Sequence, residues 1–143
     1  MPGSVLAVRI KKRPQGPTEP ADIIRLEAPG GIVGDAHFGS KSRQVLLLDI
    51  STLNGFGYSP GLLREQILVD FEGLQRLPEG TELSIGSARI RITGDCAPCR
   101  TMAGYAQEDP PSFVNKMMGK RGMLGVVTQG GEIAPGDSVT IHE

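Results

Sequence analysis

Glycine and proline interrupt this chain at short intervals along its whole length. The 143 residues include 20 glycines and 11 prolines, most of them standing singly between short apolar runs. Proline removes a backbone donor, and glycine allows the left-handed conformations of tight turns, so neither suits the interior of a long helix. The pattern therefore predicts a mainly β protein with many turns and excludes a helical bundle.

The apolar runs predict roughly seven short strands and one or two short helices, in a single domain spanning residues 1–143. The clearest signal is the alternation in Leu83–Ile85 and Ile90–Ile92 about Gly86, which is typical of a hairpin. Pro110–Met118 has prolines in its first turn and apolar residues at helical spacing, and it predicts a helix. Short strands separated by turns avoid exposed edges best by closure, so we expect a closed or nearly closed β-barrel.

Three further segments carry predictions about local structure. Lys11–Pro20 contains three prolines and is expected to be a loop. Val45–Leu48 is a continuous apolar run, typical of a strand that is buried on both faces. Arg64–Val69 is polar at its start and apolar at its centre, and it is predicted to be another strand.

The charge and the cysteine content limit the class of protein. The formal net charge is −1, which does not indicate a nucleic-acid partner. No apolar stretch approaches the roughly 20 residues of a membrane span, and Met1–Ser4 lacks the features of a signal peptide. The two cysteines form one Cys-x-x-Cys rather than a disulfide framework. We therefore expect a cytoplasmic protein with reduced thiols that contacts neither nucleic acid nor membrane.

Cys96 and Cys99 are the strongest candidates for chemistry. They are expected on a loop after a strand, and the adjacent Arg100 favours the thiolate, which is the form that attacks sulfur or binds a soft metal. A zinc site is one alternative, but it needs about four ligands. Beyond the two cysteines, only His37 and His142 are available as ligands, and their spacing is not that of a zinc finger. A thioredoxin-like dithiol and a pair of incidental loop cysteines are the others.

A glycine-flanked loop, Gly34–Gly39, holds an acid and an imidazole two residues apart. Asp35 and His37 there predict a pocket wall with an anchoring carboxylate and a proton-transferring histidine. A turn in which Asp35 bonds its own backbone, next to a surface histidine, is the alternative.

Basic residues at two places could bind an anion. In a strand Arg64 and Gln66 would share one face, and Glu65 would lie on the other. A guanidinium and an amide on the same face can both donate hydrogen bonds to one anionic group. Lys120 and Arg121 could cradle a phosphate, although cations near the end of a helix also complement its dipole.

Taken in chain order, five motifs resemble the MOSC domain. That domain occurs at the C-terminus of eukaryotic molybdenum-cofactor sulfurases, in the mitochondrial amidoxime-reducing component and as small stand-alone bacterial proteins. The resemblance extends over nearly the whole chain. The motifs are Gly34–Gly39, Arg64–Val69, Pro78–Gly86, Cys96–Met102 and Gly125–Asp137.

The resemblance implies a β-barrel that binds the molybdenum cofactor (molybdopterin) or handles its sulfur. In active family members a cysteine thiolate binds molybdenum and N-hydroxylated compounds are reduced, and Cys99 stands at the matching position. Arg64 and Gln66 match the Arg-x-Asn that contacts the pterin, with the amide here one methylene longer. The resemblance thus predicts Cys99 as the metal ligand and as a catalytic residue with His37 and Asp35. The predicted cofactor-binding residues are Arg64, Gln66, Arg100, Lys120, Arg121 and Cys96.

The leading hypothesis is a molybdenum-cofactor protein that reduces a small N-hydroxylated substrate or transfers sulfur through Cys99. The chain has no flavin, haem or iron–sulfur motif, so electrons or sulfur would come from separate partner proteins. A small open barrel also allows the cofactor to be lost on purification. Two alternatives are a metal-free sulfurtransferase that carries a persulfide on Cys99, and a non-enzymatic barrel that binds a small anion.

Overall fold

The computed structural model of the chain describes residues 3–98 and 100–143, in full except for the side chains of Arg100 and Thr101. The strands in this part of the chain are β1 (Gly3–Lys11), β2 (Thr18–Ala21), β3 (Ile24–Glu27), β4 (Gly31–Ile32), β5 (Val45–Asp49), β6 (Ile67–Asp70), β7 (Glu82–Ile85), β8 (Ala88–Asp95), β9 (Met123–Gln129), β10 (Gly131–Ile133) and β11 (Ser138–Ile141). The helices are α1 (Ile50–Phe56), α2 (Arg100–Tyr105) and α3 (Pro110–Met117), and a 3-10 turn covers Leu74–Arg76.

Seven of these strands close into a barrel. Their order is β11, β7, β8, β9, β5, β6 and β1, and β1 pairs back onto β11 through Gly3 and Ser4. Neighbouring strands are antiparallel except β5 and β6, which are parallel. β2 flanks β1, while β10, β3 and β4 form a second, small sheet. The predicted fold class, a mainly β closed barrel, is confirmed, with three short helices in the described residues where one or two were expected.

The barrel interior is filled by alternate residues of its strands. The predicted hairpin is present as β7 and β8, joined through Gly86, whose φ is +56°. Leu83, Ile85 and Ile90 point inward and are fully buried. Alternation places every second residue of a strand on the same face, so this hairpin buries one complete face.

The three helices cover the outside of β5 and β6, where a second apolar cluster forms. Leu48 and Leu68 of the strands meet Leu53, Phe113 and Met117 of the helices. Val45 and Leu47 instead face the barrel interior, which explains why the whole Val45–Leu48 run is apolar. Burial of a side chain such as Phe113 contributes roughly 2–3 kcal/mol, so this cluster fixes the helices to the barrel. In the described residues no helix is long and apolar enough to cross a membrane.

Two of the local predictions are wrong in part. Lys11–Pro20 is not all loop, because Lys11 ends β1 and Thr18–Ala21 is β2. Pro20 lies opposite Arg9, and a proline is tolerated there because β2 pairs only with β1 and is therefore an edge strand. The strand predicted over Arg64–Val69 begins only at Ile67.

Candidate functional site

A narrow cleft lies where β1 and β8 end and where β5, β6 and β9 begin. Its volume is about 80 Å³. A wider surface depression of about 600 Å³ beside Gln44 and Arg91 is lined by none of the predicted site residues whose side chains the structure describes, so the cleft is the candidate site. The residues that line the cleft are Lys11, His37, Arg43, Leu46, Arg64, Gln66, Cys96, Arg121 and Leu124. We call this set the cationic cleft.

Asp35 lies behind the cationic cleft and holds two of its walls together. The carboxylate is buried, and its Oδ1 accepts a hydrogen bond from the Lys11 backbone N–H at 2.7 Å. Oδ2 accepts from the His37 backbone N–H at 2.9 Å and lies 3.4 Å from the Gln66 amide nitrogen. The Asp35–His37 bond is the local turn considered from the sequence, but the bond to Lys11 ties this loop to β1. Asp35 therefore acts on the site through its neighbours.

Lys11 and His37 face each other across the cleft, with Nζ and Nε2 3.4 Å apart. Burial, followed by the charge of Arg64, lowers the pKa of the Lys11 ammonium. Burial, followed by the charge of Lys11, lowers the pKa of the His37 imidazole. A neutral imidazole with its proton on Nδ1 accepts a hydrogen bond from the ammonium through Nε2. The pair can thus hold one shared proton at the cleft.

Arg64 enters the cleft from a tight turn directly before β6. Its backbone N–H donates to the Gly61 carbonyl at 3.0 Å, and its φ of +64° is in the left-handed region. The next residue, Glu65, is fully buried, and its Oε2 accepts a bond from the Gly61 N–H at 2.6 Å. Burial raises the pKa of the Glu65 carboxyl. Arg64 and Gln66 both line the cleft while Glu65 does not, although a turn rather than the predicted strand arranges them.

The Gln66 side chain is committed mainly to the protein itself. Its Oε1 accepts a hydrogen bond from the buried Leu46 backbone N–H at 2.8 Å, and its nitrogen faces Asp35. The chain segment of Gln66 also bonds to both neighbouring strands, because its backbone N–H donates to Leu46 and its carbonyl accepts from Arg9. The amide therefore supports the wall of the cleft more than it offers a free group to a ligand.

The remaining predicted residues lie in different places. Cys96 is buried in the cleft wall, where its backbone N–H donates to the Gly122 carbonyl at 2.9 Å. Arg121 is also buried and lines the cleft. Lys120 is exposed outside it, with Nζ 5.7 Å from the centre of the Phe56 ring.

The last two predicted site residues, Cys99 and Arg100, follow Cys96 in the Cys-x-x-Cys motif. Cys99 and the side chain of Arg100 lie outside the described residues, although the backbone of Arg100 begins α2. Their assignments as metal ligand and as cofactor contact stay predictions.

The surroundings of this motif bear on its other interpretations. The strand β8 precedes it and α2 follows it, which is the local order of a thioredoxin-like site. However, β8 is antiparallel to both of its neighbours, so the parallel βαβ unit of that fold is not formed. For the zinc interpretation, residues 3–98 and 100–143 contain no group of three or more His, Cys, Asp and Glu side chains that could hold a metal ion.

The sequence reasoning missed two cationic residues of the cleft, Lys11 and Arg43. Lys11 belongs to a basic triplet that stands beside prolines, and this surrounding predicts a loop. Its position as the last residue of an alternating strand is the signal that could have identified it. Arg43 stands just before the apolar run of β5. With Arg64 and Arg121 they give the cleft a surplus of positive charge, which attracts anions.

Comparison with known proteins identifies the family of this chain. Residues 35–140 match the family model of the MOSC domain. The chain belongs to the MOSC domain family. The match begins at Asp35 and includes every lining residue of the cleft except Lys11.

Solved structures share the fold of this MOSC domain. The YuaD protein from Bacillus subtilis superposes with a TM-score of 0.86 at 22% sequence identity, over 100% of this chain and 97% of that chain. YiiM from Geobacillus stearothermophilus gives 0.75 at 15%, over 99% of this chain and 75% of that one. YiiM from Escherichia coli gives 0.74 at 17%, over 100% and 70%. No curated protein sequence matches the chain significantly.

Proposed function

We propose that this MOSC domain binds the molybdenum cofactor at the cationic cleft, with Cys99 as the thiolate ligand of the metal. The observation that carries the proposal is the convergence of four cationic side chains on one small cleft. A cluster of this kind favours a ligand with several negative charges. Family membership supports the same class of ligand, and Cys99 follows the cleft residue Cys96 by three positions.

The side chains of the cleft fit the anionic part of such a cofactor. Nη1 of Arg64 is buried and has no hydrogen-bond partner in the described part of the chain, so it can donate to an oxyanion. Cys96 adds a buried sulfur atom to the wall, and the soft thiolate ligand of the proposal is Cys99, three positions later. A volume of about 80 Å³ equals that of roughly three water molecules. The cleft would therefore hold an oxyanion-sized part of the cofactor and not a complete pterin.

Five residues in or behind the cleft then have a physical role. Arg64 and Arg121 bind negative charge, and Arg64 can do so with the planar fork of a guanidinium. Asp35 orients the backbone of Lys11 and His37, which are placed to hold and deliver a proton beside the ligand. When bound, the cofactor would supply either the two-electron reduction of an N–OH group, which consumes two protons and releases water, or a transferable sulfur.

The proposal is tested by molybdenum retention. The protein is loaded with cofactor, passed through a desalting column and analysed for molybdenum by mass spectrometry. Wild type is expected to retain the metal, Cys99→Ser to lose most of it and Cys96→Ser to keep most of it. Arg64→Ala should also lose it, whereas Arg25→Ala, an exposed arginine of β3, is the matched control and should not. Equal retention by wild type and Cys99→Ser, or none in either, overturns the ligand assignment.

The small volume of the cleft favours a second candidate function, the binding of a free oxyanion without catalysis. This candidate predicts a melting temperature that rises with phosphate or molybdate, in a protein that retains no cofactor and shows no redox activity. The same samples, incubated with a cysteine desulfurase and sulfur donor, test the sulfurtransferase alternative. A sulfur adduct on Cys99 in the metal-free protein would favour that alternative over both binding functions.

A further inference from the structure

Tyr105, the last residue of α2, connects three segments around the cleft. Its ring covers Arg64, with the guanidinium carbon 3.7 Å from the ring centre. Its hydroxyl donates to the Gln15 carbonyl at 3.2 Å, in the turn that follows β1. The ring therefore lies between α2 and two segments of the barrel, and one of its faces is occupied by the cation that enters the cleft.

The Arg64 guanidinium is held in an unusual way for a partly buried cation. Its Nη1 is buried and without a hydrogen-bond partner in the described residues, and no described carboxylate pairs with it. A buried donor without an acceptor is energetically unfavourable. The ring contact compensates for part of the missing charge, because the π-face of a tyrosine attracts a cation. The donor itself remains available to an acceptor in the cleft.

We propose that Tyr105 is a positioning residue that holds the Arg64 guanidinium by its face, so that its N–H edge is presented to an oxyanion in the cationic cleft. This inference rests on the proposed function, because it requires that the cleft take an anionic ligand. A guanidinium binds an oxyanion through two parallel N–H bonds in its own plane. Stacking covers the face and leaves that plane free, so Tyr105 and the anion use different parts of Arg64 and do not compete.

Prior ordering of the guanidinium should increase affinity. An arginine side chain loses considerable rotamer freedom when it binds a ligand, and a group already fixed in the bound orientation avoids much of that cost. Lysine cannot replace arginine in this arrangement, since an ammonium has neither the plane nor the fork. The inference thus predicts that Tyr105 increases the affinity for an anion only when position 64 carries a guanidinium.

Titration calorimetry with inorganic phosphate tests the inference. Tyr105→Leu, which removes the ring, should weaken phosphate binding by about fivefold to tenfold, the range expected for a cation–π contact at a partly desolvated site. Tyr105→Phe keeps the ring and should restore affinity to within about twofold of wild type. Tyr58→Leu is the matched control, because Tyr58 bonds to Glu108 among the helices and lies outside the cleft. It should lower the melting temperature without changing the phosphate affinity.

A double-mutant cycle separates positioning from a purely structural role. In an Arg64→Lys background, the further change Tyr105→Leu should alter phosphate affinity by less than about twofold, because the two side chains act as a unit. If Tyr105→Leu lowers only the melting temperature, or weakens binding equally in both backgrounds, the inference is wrong. If Tyr105→Leu has no effect while Arg64→Ala abolishes binding, only the inference fails. Phosphate binding that is absent, or unaffected by Arg64→Ala, contradicts the anion-binding cleft of the proposed function.

Discussion

Replacing Asp35 by asparagine should destabilise the protein although the two side chains have nearly the same shape. The carboxylate accepts two short hydrogen bonds, from the backbone N–H groups of Lys11 and His37, at 2.7 and 2.9 Å. An asparagine can present only one oxygen to these two donors. Its amino group would face the second N–H, and two donors repel each other.

The structure sets the size of the expected effect. A hydrogen bond to a charged group contributes about 1.5–3 kcal/mol, against about 0.5–1.5 kcal/mol for a neutral pair. Asp35→Asn loses one charged bond and converts the other to a neutral one, so we expect about 2.5–4.5 kcal/mol of destabilisation. Asp35→Ala removes both acceptors and should cost about 3–5 kcal/mol, because two partly buried donors lose a charged partner.

Urea unfolding at neutral pH measures this loss, with Asp22→Asn as the control at an exposed aspartate. The control should stay within about 0.5 kcal/mol of wild type. For a chain of this length a loss of about 3 kcal/mol corresponds to a fall in melting temperature of roughly 6–12 °C. An Asp35→Asn protein within about 0.5 kcal/mol of wild type would refute the argument that Asp35 ties the loop to β1.

Three further outcomes are expected. Burial raises the pKa of Glu65 above its unfolded value, so its contribution to stability is full at low pH and declines as the pH rises through the folded pKa. The stability of Glu65→Gln relative to wild type should therefore increase as the pH rises above about 4.5. Urea unfolding curves whose difference stays constant from about pH 4 to about pH 8 would contradict this. The buried amide of Gln44 accepts from the Val127 N–H at 2.8 Å, so Gln44→Leu should cost about 1–3 kcal/mol in the same assay, and a neutral result would show that the N–H finds another acceptor. Burial and the charge of Lys11 lower the pKa of His37, so the midpoint of its NMR titration should lie below about 6.5. The midpoint should rise in Lys11→Met, and a midpoint that does not move would argue against the contact between Lys11 and His37.

The fold was predictable because its signals are local. Alternation in β7 and β8, and prolines at the start of α3, are properties of a few neighbouring residues. The helix α2 has no signal in the sequence because its six residues are too few to show helical periodicity, and Pro98 stands only two positions before its first residue, Arg100. β2 was missed because proline argues against a strand, and only the position of that strand at the edge of the sheet makes it acceptable.

The site was predictable in its residue types but not in its connections. Arg64, His37 and Cys96 stand in recognisable motifs, and all three line the cleft. The bond between Asp35 and Lys11 joins residues 24 positions apart, and the ring of Tyr105 reaches Arg64 from a different element. Such contacts are created by tertiary structure, so a single sequence contains no local pattern from which to derive them.

The seam between β1 and β11 has a consequence for how the protein is made. Within residues 3–98 and 100–143, only Gly3 and Ser4 of the first strand pair with β11, where they meet Val139 and Ser138 from a distant part of the chain. Contacts between residues so distant in sequence form slowly, since a long loop must close before they stabilise anything. During synthesis the nascent chain would carry six barrel strands with an open side until β11 emerges from the ribosome. The exposed edge of β7 would then be the surface most in need of protection by a chaperone.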